Sequence, residues 1–206
     1  MKPLTTSVYT FEKMINGGFL YIDKTDYVFQ LVEPAYGQYF LSRPRRFGKS
    51  LLISTLKAIF EGKRDLFKGL AIHERPFPWK TYPVLHFDFG DCDATTPDAL
   101  KRYLVEKLDA MAKARGVTLT RSGPSARFSE LITTLGETNE VVVLIDEYDK
   151  PILENINRDV IEDIRLVLEG FYAVIKTTES VQRFALLTGV SKFSKVSVFS
   201  KLNNLT

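Results

Sequence analysis

Val141-Val142-Val143-Leu144-Ile145-Asp146-Glu147 joins five consecutive aliphatic residues to two carboxylates. A strand with one wet face alternates polar and apolar residues. An unbroken apolar run is the pattern of a central parallel strand, whose two faces are both covered by helices. The neighbouring segments fit that frame. Gln38-Tyr39-Phe40-Leu41, Pro83 to Phe89, and Arg183 to Thr188 ending at Gly189 read as further strands. Between them, Leu51 to Phe60 suits a buried helix, and Asp98 to Ala114 repeats Leu100, Leu104, Leu108 and Met111 at helical spacing. Helices are also expected at about 128–136 and 159–177, with a loop over 116–127. Strands alternating with helices in this way predict an α/β fold of three layers, with a mostly parallel central sheet and helices on both faces.

Residues 1–37 read as a lead-in to a core over 38–206. An amphipathic stretch near Phe11 to Ile15 is followed by a Gly17-Gly18 break and a strand candidate, Phe19 to Ile22. Asp23 or Thr25 then caps a helix through Tyr27 to Val32, which Pro34 stops. The stretch 190–206 does not have the look of a domain end, so the chain is expected to stop inside a larger architecture.

Composition removes several classes. At 206 residues, with 45% hydrophobic and 26% charged residues, the chain is long enough for a full core and reads as globular. The net charge of +3 is too small to imply a nucleic-acid partner. One cysteine, Cys92, makes no internal disulfide, and with only His73 and His86 beside it no zinc site is expected. Met1 to Ser7 lacks the apolar stretch of a signal peptide, and no run approaches the ~20 residues of a membrane span. A cytoplasmic location and no membrane partner are the expectation.

The chemistry lies in Ser42-Arg43-Pro44-Arg45-Arg46-Phe47-Gly48-Lys49-Ser50-Leu51. A phosphate-binding loop of the form GxxxxGK[ST] sits between a strand and a helix. Its second half is intact, and Arg43 stands where the first glycine belongs. Gly48 lets backbone approach a phosphate, Lys49 reaches the β and γ phosphates, Ser50 offers a hydroxyl to Mg²⁺, and the helix start supplies free amides. Arg43 and Pro44 lack a glycine's freedom, so the front of the loop must be built differently. The tripeptide alone also fits a basic surface turn. The strand before it, the helix after it and the lack of acidic residues from 42 to 50 favour the phosphate reading.

Asp146 lies 97 residues beyond Lys49. A carboxylate ending a buried strand can hold Mg²⁺, and its neighbour can polarise the water that attacks the γ-phosphate. Asp146 suits the first role and Glu147 the second, although an Asp-Glu pair also simply ends many buried strands. Thr188, at the tip of a strand expected between the loop strand and the Asp-Glu strand, can sense the γ-phosphate or serve as an ordinary strand end. Ser191 and Lys192 follow it.

These segments, with Leu144-Ile145-Asp146-Glu147-Tyr148-Asp149-Lys150-Pro151 and Leu187-Thr188-Gly189-Val190-Ser191-Lys192-Phe193, resemble the signatures of the bacterial AAA-ATPase-like proteins of the P-loop NTPase superfamily. Gly18 to Thr25 and Phe199 to Thr206 are similar as well, so the resemblance covers nearly the whole chain. It implies ATP binding and Mg²⁺-dependent ATP hydrolysis, and it removes the objection to Arg43, because the family's loop carries arginine there. It also implies that full-length members often continue into a restriction-endonuclease-like domain. No Glu-x-Lys or Asp-x-Lys after an acidic cluster marks such a nuclease here.

Lys49 and the loop from Arg43 to Leu51, with Thr188, are therefore expected to hold nucleotide, Ser50 and Asp146 the metal, and Glu147 and Lys49 to act in catalysis. By analogy with related ATPases, adenine is expected near Tyr21 to Lys24. Arg46 in cis, or Arg158, Arg165 or Arg183 from a neighbouring subunit of a homo-oligomer, are candidates for a stabilising arginine. Two other readings stay open: a regulatory switch that binds nucleotide with little turnover, and a nucleic-acid-binding domain using Arg43, Arg45, Arg46 and Lys49 with Tyr39, Phe40 and Phe47. Within the family resemblance, nucleic acid is reached only through the absent C-terminal domain.

Overall fold

The structure is a computed structural model that describes residues 2–5 and 7–191. The expectations placed on Lys192, Phe193 and Phe199 to Thr206 lie outside the described residues.

Four strands form one parallel sheet: β1 (Gly37–Ser42), β2 (Val84–Asp88), β3 (Val141–Asp146) and β4 (Gln182–Gly189), in the spatial order β1-β4-β3-β2. The last strand in sequence thus enters between the loop strand and the Asp-Glu strand. All six residues of β3 and all eight of β4 are buried, β3 as its unbroken apolar run requires. The register pairs Ser42 with Gly189, Leu41 with Thr188, Ile145 with Leu187 and Asp88 with Asp146. The carboxyl ends of the four strands therefore stop along one edge.

Because side chains alternate across a strand, the sheet has two cores. On one face Leu85, Phe87, Val143, Ile145, Ala185 and Leu187 pack against α4 (Pro97–Lys113), α5 (Pro124–Gly136) and α7 (Ile161–Thr177). On the other, Val84, Val142, Leu144, Phe184 and Leu186 meet α3 (Lys49–Phe60), flanked by α1 (Phe11–Asn16) and α2 (Thr25–Val32). Three layers result.

Phe11 of α1 stacks on Phe67, and its backbone amide donates to Ser54 Oγ of α3, so the lead-in joins the second core. Asp23 Oδ1 accepts from both the amide and the hydroxyl of Thr25, and Oδ2 from Ala71 N, which fixes the start of α2. Burial raises and these hydrogen bonds lower the Asp23 pKa, with a net lowering.

The structure differs from the sequence expectation in three places. Phe19 to Ile22 joins no ladder. Tyr21 instead lays its ring edge-on against Phe11, so its apolar character serves packing rather than pairing. Helix α5 begins at Pro124, four residues before the expected start, because Pro at the first turn needs no amide partner and Gly123 supplies φ 79° before it. A short helix, α6 (Lys150–Leu153), follows the acidic turn, where a Pro151-containing loop gave no helical period to read.

Candidate functional site

At the carboxyl edge of the sheet, β1 runs into residues 43–48 and these into α3. The loop's side chains from Arg43 to Gly48 are exposed, whereas Lys49 is only 7% exposed, and Ser50 and Leu51 are half-buried. Gly48 takes φ 77°, left-handed backbone that favours glycine, and nothing lies within 4 Å of where a side chain would begin. The space above the backbone at this point is open. The amides of Lys49, Ser50 and Leu51 precede the first bond of the helix, Leu52 N to Gly48 O at 2.9 Å, and so have no intrahelical acceptor. Arg46 carries the other positive φ of the loop, 66°, and supplies the turn that the missing first glycine would have made easy. Lys49 Nζ donates to Arg43 O at 2.9 Å and Pro44 O at 3.0 Å, bracing the front of the loop from inside.

Across the sheet edge stands the acidic turn. Asp146 is 3% exposed, and its Oδ1 accepts from the hydroxyl of Thr188 and from Glu147 N at 3.1 Å. Both bonds use the same oxygen, so Oδ2 is left for other partners. Glu147 sits at φ 53°, an uncommon conformation for a residue with a side chain, of the kind that recurs at functional sites. Burial raises its pKa, with the charges of Asp146 and Asp88 adding to the effect and Lys150 and Arg45 opposing it. A carboxylate with its pKa moved upward is a better proton acceptor near neutrality than an ordinary glutamate.

The structure thus brings Lys49, Asp146, Glu147 and Thr188 from three adjacent strand ends to one edge. Of the candidate arginines, Arg46 lies in the loop itself. Arg183 is 7% exposed, lies at the opposite end of β4, and donates to Val32 O. It is a core residue rather than a surface cation. Arg158 and Arg165 bond to Asn155 and Glu162. Arg45 is a loop arginine whose charge acts on Glu147. Tyr21, at the expected adenine position, is partly buried against the lead-in core, while Ile22 beside it is exposed.

Sequence reading missed Asp88. It ends β2 beside Asp146 in register, and its Oδ1 accepts from Gly90 N at 2.7 Å. The signal was present: a mostly apolar strand, Val84-Leu85-His86-Phe87, is closed by an aspartate as β3 is. The turn after Asp88 is braced by Tyr103, which donates to Asp88 O and to Asp91 Oδ1, and by Lys150, which donates to Gly90 O.

A strand-loop-helix with a lysine opening the helix, beside a buried strand followed by Asp-Glu and with one strand between them, is the arrangement of a P-loop-like α/β fold. The chain belongs to the AAA-ATPase-like family, described as a predicted AAA-ATPase, whose pattern matches residues 5–199. It is 45% identical over 209 residues to an uncharacterized protein in the vnfD 5′ region of Azotobacter chroococcum mcd 1. That match covers 99% of this chain and 40% of the relative, so the chain spans about two-fifths of the relative's length. Among the described residues no helix is long and apolar enough to cross a membrane.

Proposed function

We propose that this chain binds ATP with Mg²⁺ at the edge formed by β1, β4 and β3, and hydrolyses it. The observation that supports the reading most is the alignment of Ser42, Thr188 and Asp146 at the ends of three paired strands, with Lys49 at the helix start directly after the first. The residues suit such ligands. Gly48 is open, the first amides of α3 are unclaimed by the helix, and Asp146 has one oxygen beyond its internal bonds.

In this reading the α3 amides and Lys49 hold the phosphates, and Lys49 exchanges its bonds to Arg43 O and Pro44 O for phosphate oxygens. Ser50 Oγ and Asp146 would hold the metal, which supplies positive charge against the phosphate oxygens. Thr188 Oγ orients the reacting end. Glu147 accepts the proton of the attacking water at its carboxylate, a task that its upward-shifted pKa favours.

Steady-state phosphate release from Mg-ATP tests the proposal, comparing the natural chain with Glu147→Gln and Lys49→Ala. Turnover lowered by about 10²-fold or more in Glu147→Gln is the expected result, in line with general-base catalysis. Equal and negligible rates in all three, with nucleotide still bound by the natural chain, would leave a binding switch instead.

A further inference from the structure

We infer that Asp149 is a positioning residue whose buried carboxylate holds the tip of β4 between the phosphate loop and the Asp146-Glu147 turn, and so sets where Thr188 meets a terminal phosphate. The inference rests on the nucleotide reading above.

Asp149 is fully buried, at 0% exposure. Its Oδ2 accepts three hydrogen bonds: from Val190 N at 2.8 Å, Ser191 N at 2.7 Å and Ser191 Oγ at 2.7 Å. Its Oδ1 has no hydrogen-bond partner among the described residues. A carboxylate kept out of water with one oxygen unanswered is costly. The three bonds to a single charged oxygen offset that cost and fix the backbone after β4.

Gly189 makes the arrangement close. A Cβ placed there would stand 2.3 Å from Tyr148 Cε1 and 2.7 Å from Asp149 Oδ1, so only glycine lets the acidic turn lie against the strand tip. Tyr148 completes the grip from the same turn. Its amide donates to Thr188 O at 3.0 Å and its hydroxyl to Ser191 O at 2.8 Å, while Tyr172 of α7 donates to Tyr148 O at 2.9 Å.

The other side of the same tip is bonded to the phosphate loop. Arg43 N donates to Gly189 O at 3.1 Å, and Ser42 Oγ to Val190 O at 3.1 Å. Residues 188–191 therefore bridge the root of the loop and the acidic turn. Thr188 is the residue of that bridge whose side chain reaches Asp146. Displacing the bridge by a fraction of an ångström moves Thr188 relative to the γ position, whereas Lys49 Nζ, which bonds Arg43 O and Pro44 O, is held from within the loop. Misplacements of about 1 Å can cost about 10²-fold in a positioned reaction.

The discriminating measurement is the ratio of Mg-ATP to Mg-ADP affinity, read by displacement of a fluorescent nucleotide, with thermal melting as the folding control. Asp149→Asn is expected to bind ADP within about twofold of the natural chain and ATP about tenfold more weakly. Ser191→Ala, which keeps both backbone donors, should lose less. Thr188→Val should lose the same preference, and Thr188→Val with Asp149→Asn should lose no more than either alone. Equal weakening of both nucleotides, or additive losses in the double variant, would show Asp149 to be merely structural. An unchanged ratio in a folded Asp149→Asn overturns the inference and spares the nucleotide reading. Failure of the natural chain to bind either nucleotide overturns both. Should Asp149→Asn not fold, Ser191→Ala and Tyr148→Phe decide by the same ratio, and no change in either overturns the inference.

Discussion

The hydroxyl of Thr188 donates a hydrogen bond to Oδ1 of Asp146, joining the tips of two adjacent parallel strands whose residues lie 42 positions apart in sequence. Both residues are essentially buried, so neither can turn to water for a replacement. Thr188→Val keeps the shape of the side chain and removes the donor, leaving Asp146 Oδ1 with the Glu147 amide alone. A buried acceptor that loses a partner costs about 1–3 kcal/mol. At about 2–4 °C per kcal/mol for a chain of this size, the melting temperature is expected to fall by about 2–12 °C. An unchanged melting temperature would mean that the bond contributes nothing to the folded state.

Glu147 links the site to pH. Its pKa is raised in the folded chain, chiefly by burial and then by Asp146 and Asp88. The native state therefore holds its proton to higher pH than the unfolded chain does, and between the unfolded and folded pKa values stability falls as pH rises. Glu147→Gln removes that penalty. The variant is expected to melt at a higher temperature than the natural chain at pH 7, and the difference should shrink toward zero below the ordinary glutamate pKa of about 4.3. A variant less stable than the natural chain at pH 7 would contradict the assignment of the shift.

Lys49 has two duties that a melting experiment separates. Empty, it braces Arg43 O and Pro44 O, and in the proposed function it transfers to phosphate. A ligand at 100 times its dissociation constant adds about 2.7 kcal/mol, which corresponds to roughly 5–11 °C for a chain of this length. The natural chain should show that rise with Mg-ATP, and Lys49→Ala should show little of it. Lys49→Ala should also melt somewhat lower without ligand, since two carbonyls lose their donor. A ligand-induced rise of the same size in Lys49→Ala would remove Lys49 from the binding set.

How much of this was legible in the sequence follows from where the physics is local. The unbroken run Val141 to Ile145 announced a doubly covered strand, and the observed order places β4 between β1 and β3 as expected. Gly48-Lys49-Ser50 announced its helix start because the signal is contained within a few residues. Asp88 and Asp149 were not assigned roles, because theirs are set by register and by bonds to residues 41 and 42 positions away. The strand expected at Phe19 to Ile22 failed for a related reason. Its aromatic and aliphatic content fits a strand locally, but Tyr21 finds its partner in Phe11, not in a ladder.

Arg183 shows most clearly how burial overrides a reading by residue type. A lone arginine invites a role in trans, yet this one donates to Val32 O at the end of α2 and lies 5.7 Å from the Phe60 ring centroid and 5.8 Å from that of Tyr82. The positive charge meets the negative end of a helix and two aromatic faces, each a favourable setting for a guanidinium. Its Nη1 has no hydrogen-bond partner among the described residues. Arg183→Ala removes the donor to Val32 O, the ring contacts and the packed stem together, and is expected to cost about 2–4 kcal/mol. That is about 4–16 °C of melting temperature. Arg183→Met refills the volume and eliminates the unanswered Nη1, so it should recover part of the loss. Both variants, where folded, should bind Mg-ATP as the natural chain does, because the residue lies at the far end of β4 from Thr188. An Arg183→Ala that keeps its melting temperature but loses turnover, restored by mixing with Lys49→Ala subunits, would return Arg183 to the role of a finger between neighbours.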